Sequence, residues 1–266
     1  MLMDYNMIES SLSENVLKLR GVEATMDISN SPTTLFCLPF AGGSSYSYRE
    51  FQRHANDGMS IEALDLPGRG RRFPEPLLTS LHDMADDVFE QIQGRLNGAY
   101  AIYGHSMGAC IGYLLVKRII RERRQLPLHL FVSGREGPSV QCKENDRHLL
   151  PSAEFKEILK RFEGTTIDVL ENQELMELFE PVLRADFQAL ETYAYEKSEP
   201  FDVPITVMWG KDENLKRTDA LRWQDETTKK ISFRDFNGGH FFIFQNAAQI
   251  GKVFSRGVMM HYDITA

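Results

Sequence analysis

Short apolar runs alternate with longer amphipathic stretches along this chain, and that rhythm narrows the possible folds more than any other feature. TTLFCLPF (33–40), SIEALDL (60–66), AYAIYG (99–104), LHLFVSG (128–134) and PITVMWG (204–210) read as buried strands, the second bounded by Pro67-Gly68. ISFRDF (231–236) alternates apolar and polar residues and reads as an edge strand. Between them, SLHDMADDVFEQIQGRL (80–96) sets Leu81, Met84, Ala85, Val88, Phe89 and Ile92 on one helical stripe, with Ser80 placed to cap it. ACIGYLLVKRIIRERR (109–124) begins apolar and ends in Lys117, Arg118, Arg121, Arg123 and Arg124, cations that complement the C-terminal end of a helix dipole. Strands spaced by helices in this way predict an α/β fold, a mostly parallel central sheet flanked by helices.

One stretch breaks the rhythm. Residues 140–198 hold no good strand but two or three helical patterns. SAEFKEILKRF (152–162) is one; ENQELMELFEPVLRADFQALETYAYE (171–196) reads as a further pair with Pro181 at the joint, because proline removes an interior helix hydrogen bond. Its apolar stripe includes Leu175, Leu178, Phe179, Val182, Leu183, Phe187 and Leu190. A helical insertion between two parallel strands lies at one end of the sheet, and ligands bind at the carboxyl ends of such strands. The insertion is therefore a candidate lid, with extension of the core as the simpler alternative.

The chain has 266 residues, 42% of them hydrophobic and 26% charged, which suits a single domain able to bury its core without disulfide or metal staples. Residues 1–32 read as an N-terminal extension and 33–266 as the domain. Cys37, Cys110 and Cys142 are an odd number without metal-ligand spacing and read as thiols in a reducing cytosol. The first 17 residues carry no positive side chain and no continuous apolar core, so no secretory signal is expected. No apolar run approaches the ~20 residues of a membrane span. A net charge of −8, from 30 basic and 38 acidic residues, argues against general nucleic-acid binding. The expectation is a cytoplasmic monomer, with neither a membrane nor a nucleic acid as partner.

Within this frame Gly104-His105-Ser106-Met107-Gly108 draws attention. It fits G-x-S-x-G, with an apolar strand before it and an apolar helix after it. A nucleophile on a tight strand-to-helix turn needs small residues two positions to either side, and the turn presents its hydroxyl at a helix N-terminus. The bland reading of Ser106 is a helix cap, which would not need both glycines.

A serine hydroxyl needs a base, and in a strand–turn–helix site of this kind the partners follow in the order Ser, acid, His. His54, His82 and His105 precede the serine; His129 sits in a strand, His148 in the inserted region and His261 in the tail. His240, in DFNGGHFFIF, follows a strand and a double glycine that lets a short loop turn sharply. The acid should follow PITVMWG, where Asp212 and Glu213 are adjacent. Either can accept the His240 Nδ1–H; Asp212 is favoured because Asp is shorter and more rigid. The oxyanion needs two donors: the backbone N–H of Met107, and that of Ala41 in PFAGGSS (39–45) after the first strand.

LFCLPFAGGSS, LDLPGRGRR, YGHSMGA and FNGGHFF, in this order and spacing, resemble the type II (external, stand-alone) thioesterases that accompany nonribosomal peptide and polyketide synthetases. The likeness runs from about residue 33 to residue 255, and LRADFQALETY (183–193) resembles the lid region of that family. The resemblance implies an α/β-hydrolase fold with a helical lid. It implies hydrolysis of acyl groups from the phosphopantetheine arm of acyl or peptidyl carrier proteins, as an editing step on misprimed or stalled units, without a cofactor or metal. Carried over by motif, Ser106 is the nucleophile, His240 the base, and Ala41 and Met107 the oxyanion donors. The usual acid pattern, Gly-x-x-Asp, departs here to Gly210-Lys211-Asp212-Glu213. Counted from Gly210 the acid is Glu213; counted back from Trp223 it is Asp212. Arg69, Arg71 and Arg72 are candidates to meet an acidic carrier, or else bind the chain's own carboxylates. Two other functions share these features: a carboxylester hydrolase of the same fold, and a non-catalytic binding protein, which would typically lose the serine or the histidine.

Overall fold

A computed structural model describes residues 32–54, 58–141, 145–161 and 170–262. The expected N-terminal extension therefore lies outside the described residues, apart from Pro32, as does Cys142. In chain order the elements are β1 (Thr33–Leu38), α1 (Arg49–Arg53), β2 (Met59–Ala63), α2 (Leu81–Ile92), β3 (Tyr100–His105), α3 (Met107–Arg121) and β4 (Leu130–Ser133). There follow α4 (Ser152–Arg161), α5 (Gln173–Glu191), β5 (Ile205–Gly210), α6 (Arg217–Ala220), β6 (Ser232–Phe236), α7 (Phe242–Gln245) and α8 (Ala247–Tyr262).

The six strands form one sheet in the order β2-β1-β3-β4-β5-β6. Every pairing is parallel, as the apolar strands predict. β6 is an edge strand, as its alternation suggests. The chain steps from β1 out to β2, then back past β1 to β3 and onward. The order thus reverses between β1 and β3, and a crevice opens at the carboxyl ends of those two strands. PFAGG follows β1 and GHSMG overlaps the end of β3, so both motifs sit at that crevice.

Alternate strand residues feed two cores. Phe36, Leu38, Tyr100 and Ile102 face α2 and α3, whose predicted stripe of Leu81, Met84, Ala85, Val88, Phe89 and Ile92 is wholly buried. Leu35, Cys37, Ala101 and Tyr103 face the other side, against Phe51, Ile250 and Phe254. Ser80 caps α2, accepting the Asp83 N–H at 3.4 Å. Cys37 and Cys110 are buried thiols. Among the described residues no helix is long and apolar enough to cross a membrane.

The inserted region carries a small core of its own: Phe155, Leu159, Leu170, Met176, Leu183 and Phe187. Here the structure corrects one expectation. Pro181 does not divide two helices; α5 runs unbroken from Gln173 to Glu191 through it. The proline sits on the exposed face, where water can serve the carbonyl that loses its donor, while Val182, Leu183, Phe187 and Leu190 stay buried on the other face. Packing of that face offsets the local cost of the proline, about 3 kcal/mol. The stripe is also narrower than the sequence suggests, since Leu178 and Phe179 are exposed.

Candidate active site

Ser106 joins β3 to α3 with φ 52° and ψ −115°, a strained backbone for a residue with a side chain. The flanking glycines make this turn possible. A Cβ on Gly104 would lie 2.0 Å from the Gly108 carbonyl oxygen, and one on Gly108 would lie 2.6 Å from that of Leu38. The Ser106 N–H donates to the Ser133 carbonyl at 2.8 Å, tying the turn to the end of β4. The hydroxyl makes no capping hydrogen bond to α3, so the bland reading of Ser106 as a cap fails. Ser106 is half-buried at a helix N-terminus, and Met107, next to it, is the first residue of α3. The Met107 N–H therefore lacks an intrahelical acceptor.

His240 comes to the same edge of the sheet. Gly238, at φ +116°, turns the chain after β6, and the Gly238 carbonyl accepts the Asp212 N–H at 3.1 Å. A Cβ on Gly210 would meet the Gly238 and Gly239 carbonyl oxygens at 2.6 and 2.5 Å, so the histidine loop lies directly on the end of β5. The His240 ring stands 4.8 Å, centroid to centroid, from that of His105, the residue before Ser106. Phe241 bridges to Phe40 of the PFAGG loop, with ring centroids 5.2 Å apart.

The carboxylate against His240 is that of Glu213, not the favoured Asp212. Glu213 Oε1 lies 2.6 Å from His240 Nδ1, and its Oε2 accepts the Gly210 N–H at 3.0 Å. The turn explains the choice. The Glu213 N–H donates to the Gly210 carbonyl at 3.1 Å, curling the chain so that residue 213 points inward while Asp212 is exposed. The longer side chain spans the distance, and its carboxylate is 1% exposed.

His105, set aside because it precedes the serine, is fully buried beneath this pair. Its Nδ1 lies 2.9 Å from Ser133 Oγ, which lies 2.9 Å from the Tyr103 hydroxyl. Burial, and then the neighbouring His240, hold its pKa well below the ordinary value, so it is a neutral packing partner at neutral pH.

The loop after β1 carries Ala41, expected from sequence as the second oxyanion donor. The Gly43 N–H donates to the Phe40 carbonyl at 2.8 Å, closing a turn with Ala41 and Gly42 at its centre. Gly42 has φ +73°, and a Cβ there would lie 2.7 Å from Leu183 Cδ2, so α5 packs directly on the turn. Asp186 of α5, fully buried, accepts the Gly42 N–H at 2.8 Å. The same carboxylate holds Arg69 in a two-pronged pair, with both contacts at 2.7 Å. No acceptor among the described residues takes the Ala41 N–H. Arg69 thus takes the second of its two expected roles, binding one of the chain's own carboxylates; Asp186 had no role assigned from sequence, because the pairing spans 117 positions.

The arginine cluster divides accordingly. Arg69 is 4% exposed and Arg72 bonds Asp87 and Glu75 at 2.7 and 2.6 Å, so both serve the chain's own carboxylates. Arg71 also reaches a carboxylate of the chain, with its Nε 3.5 Å from Asp65 Oδ2, but it is the one of the three whose side chain is mostly in solvent. No cluster of three or more His, Cys, Asp or Glu side chains suited to a metal occurs among the described residues.

A half-buried hydroxyl with no capping duty, a carboxylate-held imidazole and unspent backbone N–H groups are the parts of an acyl-transfer site. The family model described as "Thioesterase domain" matches residues 33–256. The chain belongs to the thioesterase family. This thioesterase is 38% identical over 213 residues to the gramicidin S biosynthesis protein GrsT of Aneurinibacillus migulanus, covering 80% of this chain and 83% of that one. Among solved structures, ClbQ from the colibactin NRPS/PKS pathway superposes with a TM-score of 0.83 at 30% identity, covering 88% of this chain and 100% of that one. The type II thioesterase BorB from the borrelidin biosynthetic cluster gives 0.79 at 29% identity, covering 86% and 94%. The resemblance read from the motifs is thereby borne out: the protein is a thioester hydrolase of the type II group, and its parallel sheet and flanking helices are the α/β-hydrolase architecture.

Proposed function

We propose that this thioesterase clears acyl groups from the phosphopantetheine arm of acyl or peptidyl carrier proteins, restoring misprimed or stalled modular synthetases in the cytosol. Ser106 is the nucleophile, His240 the base, and Glu213 the acid that orients it. The observation that carries the reading is a Ser106 hydroxyl free of capping duty at a strained elbow of φ 52°, together with an imidazole, at the same end of the sheet, held at Nδ1 by Glu213. The family match and likenesses to proteins of the gramicidin S, colibactin and borrelidin pathways support the substrate class.

With Glu213 accepting the Nδ1–H, the Nε2 lone pair is free to take the Ser106 proton. The alkoxide adds to the thioester carbonyl, and the oxyanion rests on the Ala41 and Met107 N–H groups. Collapse breaks the C–S bond and releases the pantetheine thiol. With a thiol pKa near 8.5, the leaving group needs little proton assistance. Water, deprotonated by His240, then hydrolyses the acyl-serine. The sequence requires no cofactor or metal. The inserted helices serve as the lid, and a single copy of the chain suffices for every role.

Intact-mass analysis of acyl carrier proteins of varied chain length tests the proposal. Wild type should return the free-thiol carrier with loss of the acyl mass, and Ser106→Ala should not. A serine-reactive fluorophosphonate should label Ser106. A folded protein that takes up no label and leaves acyl carriers intact would overturn the reading. Matched acyl-pantetheine thioesters and oxygen esters separate it from a carboxylester hydrolase.

A further inference from the structure

We infer that Asp186, with Arg69, is a positioning residue for the oxyanion loop, so that the helix over the site aims one of the donors beneath it. The inference rests on the proposed role of Ala41 as an oxyanion donor. Asp186 is 0% and Arg69 4% exposed, and three segments remote in sequence meet at them: the loop after β1, the loop after β2 and helix α5. A buried ion pair is a poor stability device, because desolvation of both charges offsets their attraction. Arg69 Nε, moreover, is buried with no hydrogen-bond partner among the described residues. What the arrangement does supply is a fixed, charge-compensated carboxylate oxygen. Arg69 engages both oxygens at 2.7 Å, and Oδ2 retains a lone pair that accepts the Gly42 N–H at 2.8 Å.

That bond matters because of where it falls. Gly42 has no side chain to choose among backbone conformations, and it sits at φ +73° next to Ala41. Fixing its N–H fixes the plane of the Ala41–Gly42 peptide; the Phe40 carbonyl, which accepts the Gly43 N–H at 2.8 Å, holds the adjoining Phe40–Ala41 plane, and the two together set the direction in which the Ala41 N–H points. The same carboxylate diverts the Gly42 N–H from the site, leaving the Ala41 N–H as the donor the loop presents. Helix α5 and the oxyanion donor thus form one unit. A displacement of α5 that draws Asp186 away from Gly42 releases the donor.

Two double variants isolate this bond. Arg69→Met with Asp186→Asn removes the charges but keeps an amide oxygen for the Gly42 N–H. Arg69→Met with Asp186→Leu removes the charges and the acceptor together. Both are assayed on a free acyl-pantetheine thioester, so carrier docking does not enter. Loss of an oxyanion donor lowers kcat by about 10²–10³, and a misaimed donor loses part of that. The Leu variant should therefore fall roughly 10–100-fold below the Asn variant in kcat, with KM unchanged and both variants folded at the assay condition by urea titration. Equal kcat in two folded variants, or a difference confined to KM, would overturn the inference. Should neither variant fold, wild type decides by amide exchange. The Gly42 amide should exchange at least about 10²-fold more slowly than the exposed Gly98 amide; equal rates would sink the inference. Wild type and Ser106→Ala, run alongside, keep the two failures apart. An inactive wild type or an active Ser106→Ala sinks the thioesterase mechanism itself, whereas matched double variants beside an active wild type sink only the role of Asp186.

Discussion

Replacing Glu213 by Gln tests the third member of the site at the level of single lone pairs. The carboxylate is used at both oxygens, Oε1 on His240 Nδ1 at 2.6 Å and Oε2 on the Gly210 N–H at 3.0 Å. Glutamine has the same shape but only one acceptor oxygen. Gly210 is the end of β5 and its N–H cannot turn away, so the amide oxygen goes there and the amide NH2 faces His240. The imidazole must then accept at Nδ1 and carry its proton on Nε2, the tautomer that cannot deprotonate Ser106. The opposite amide orientation sets NH2 against the Gly210 N–H and leaves a buried donor unpaired, at about 1–3 kcal/mol. A wrong tautomer in a site of this type lowers kcat about 10⁴-fold, or roughly 5.5 kcal/mol of barrier. Glu213→Asp keeps the charge but withdraws it by about 1.5 Å, one carbon–carbon bond, beyond hydrogen-bond reach of Nδ1. A loss of roughly 10–100-fold is expected there. Asp212→Asn, on an exposed side chain, should stay within about twofold of wild type. The assay is steady-state turnover of an acyl-pantetheine thioester at neutral pH, with urea midpoints to establish folding. If Glu213→Gln kept kcat within tenfold of wild type, or Asp212→Asn lost as much as Glu213→Gln, the assignment of the acid would be wrong.

Three further perturbations probe other parts of the molecule. Gly104→Ala drives a Cβ to 2.0 Å from a backbone oxygen and should destabilise the fold by about 3 kcal/mol or more; an unchanged urea midpoint would contradict the packing described for the elbow. His105 is kept neutral in the folded state, whereas the unfolded chain takes up its proton below the ordinary value of 6.5. Stability should therefore fall as pH drops below that value, by up to about 1.4 kcal/mol per unit, and His105→Asn should lose less over the same interval. Identical slopes for the two proteins would refute it. Arg71, which pairs with Asp65 at 3.5 Å yet keeps 71% of its side chain exposed, is the PGRGRR arginine open to an acidic carrier. Arg71→Glu should lower kcat/KM for carrier-bound substrate several-fold at low salt, about 3–10-fold, while sparing free acyl-pantetheine; equal effects on both substrates would remove the docking role.

How far the sequence can be read depends on the range of the interaction concerned. The strands and α2 follow from periodicity within a few residues of one another, and they lie where the pattern puts them. Pro181 misleads because its local cost competes with the burial of Val182, Leu183, Phe187 and Leu190 along α5. The same proline in an exposed helix without that packing would break it. The choice between Asp212 and Glu213 turned on a single reversal of the chain at Gly210, which points residue 213 inward. Neighbouring carboxylates are chemically alike, so composition offers no preference between them.

The chain's own order of residues sufficed for the alternation that makes a parallel sheet, the glycine-flanked serine at a strand end and the double glycine before His240. Each is a local demand: a pattern of burial, or a backbone conformation only certain residues tolerate. Which carboxylate meets His240, that His105 lies neutral beneath it, and that Asp186 reaches 144 positions back to Gly42 were decided by tertiary packing. Those contacts depend on directions in space, set by the whole sheet and the helices upon it, and short segments of chain carry no record of them.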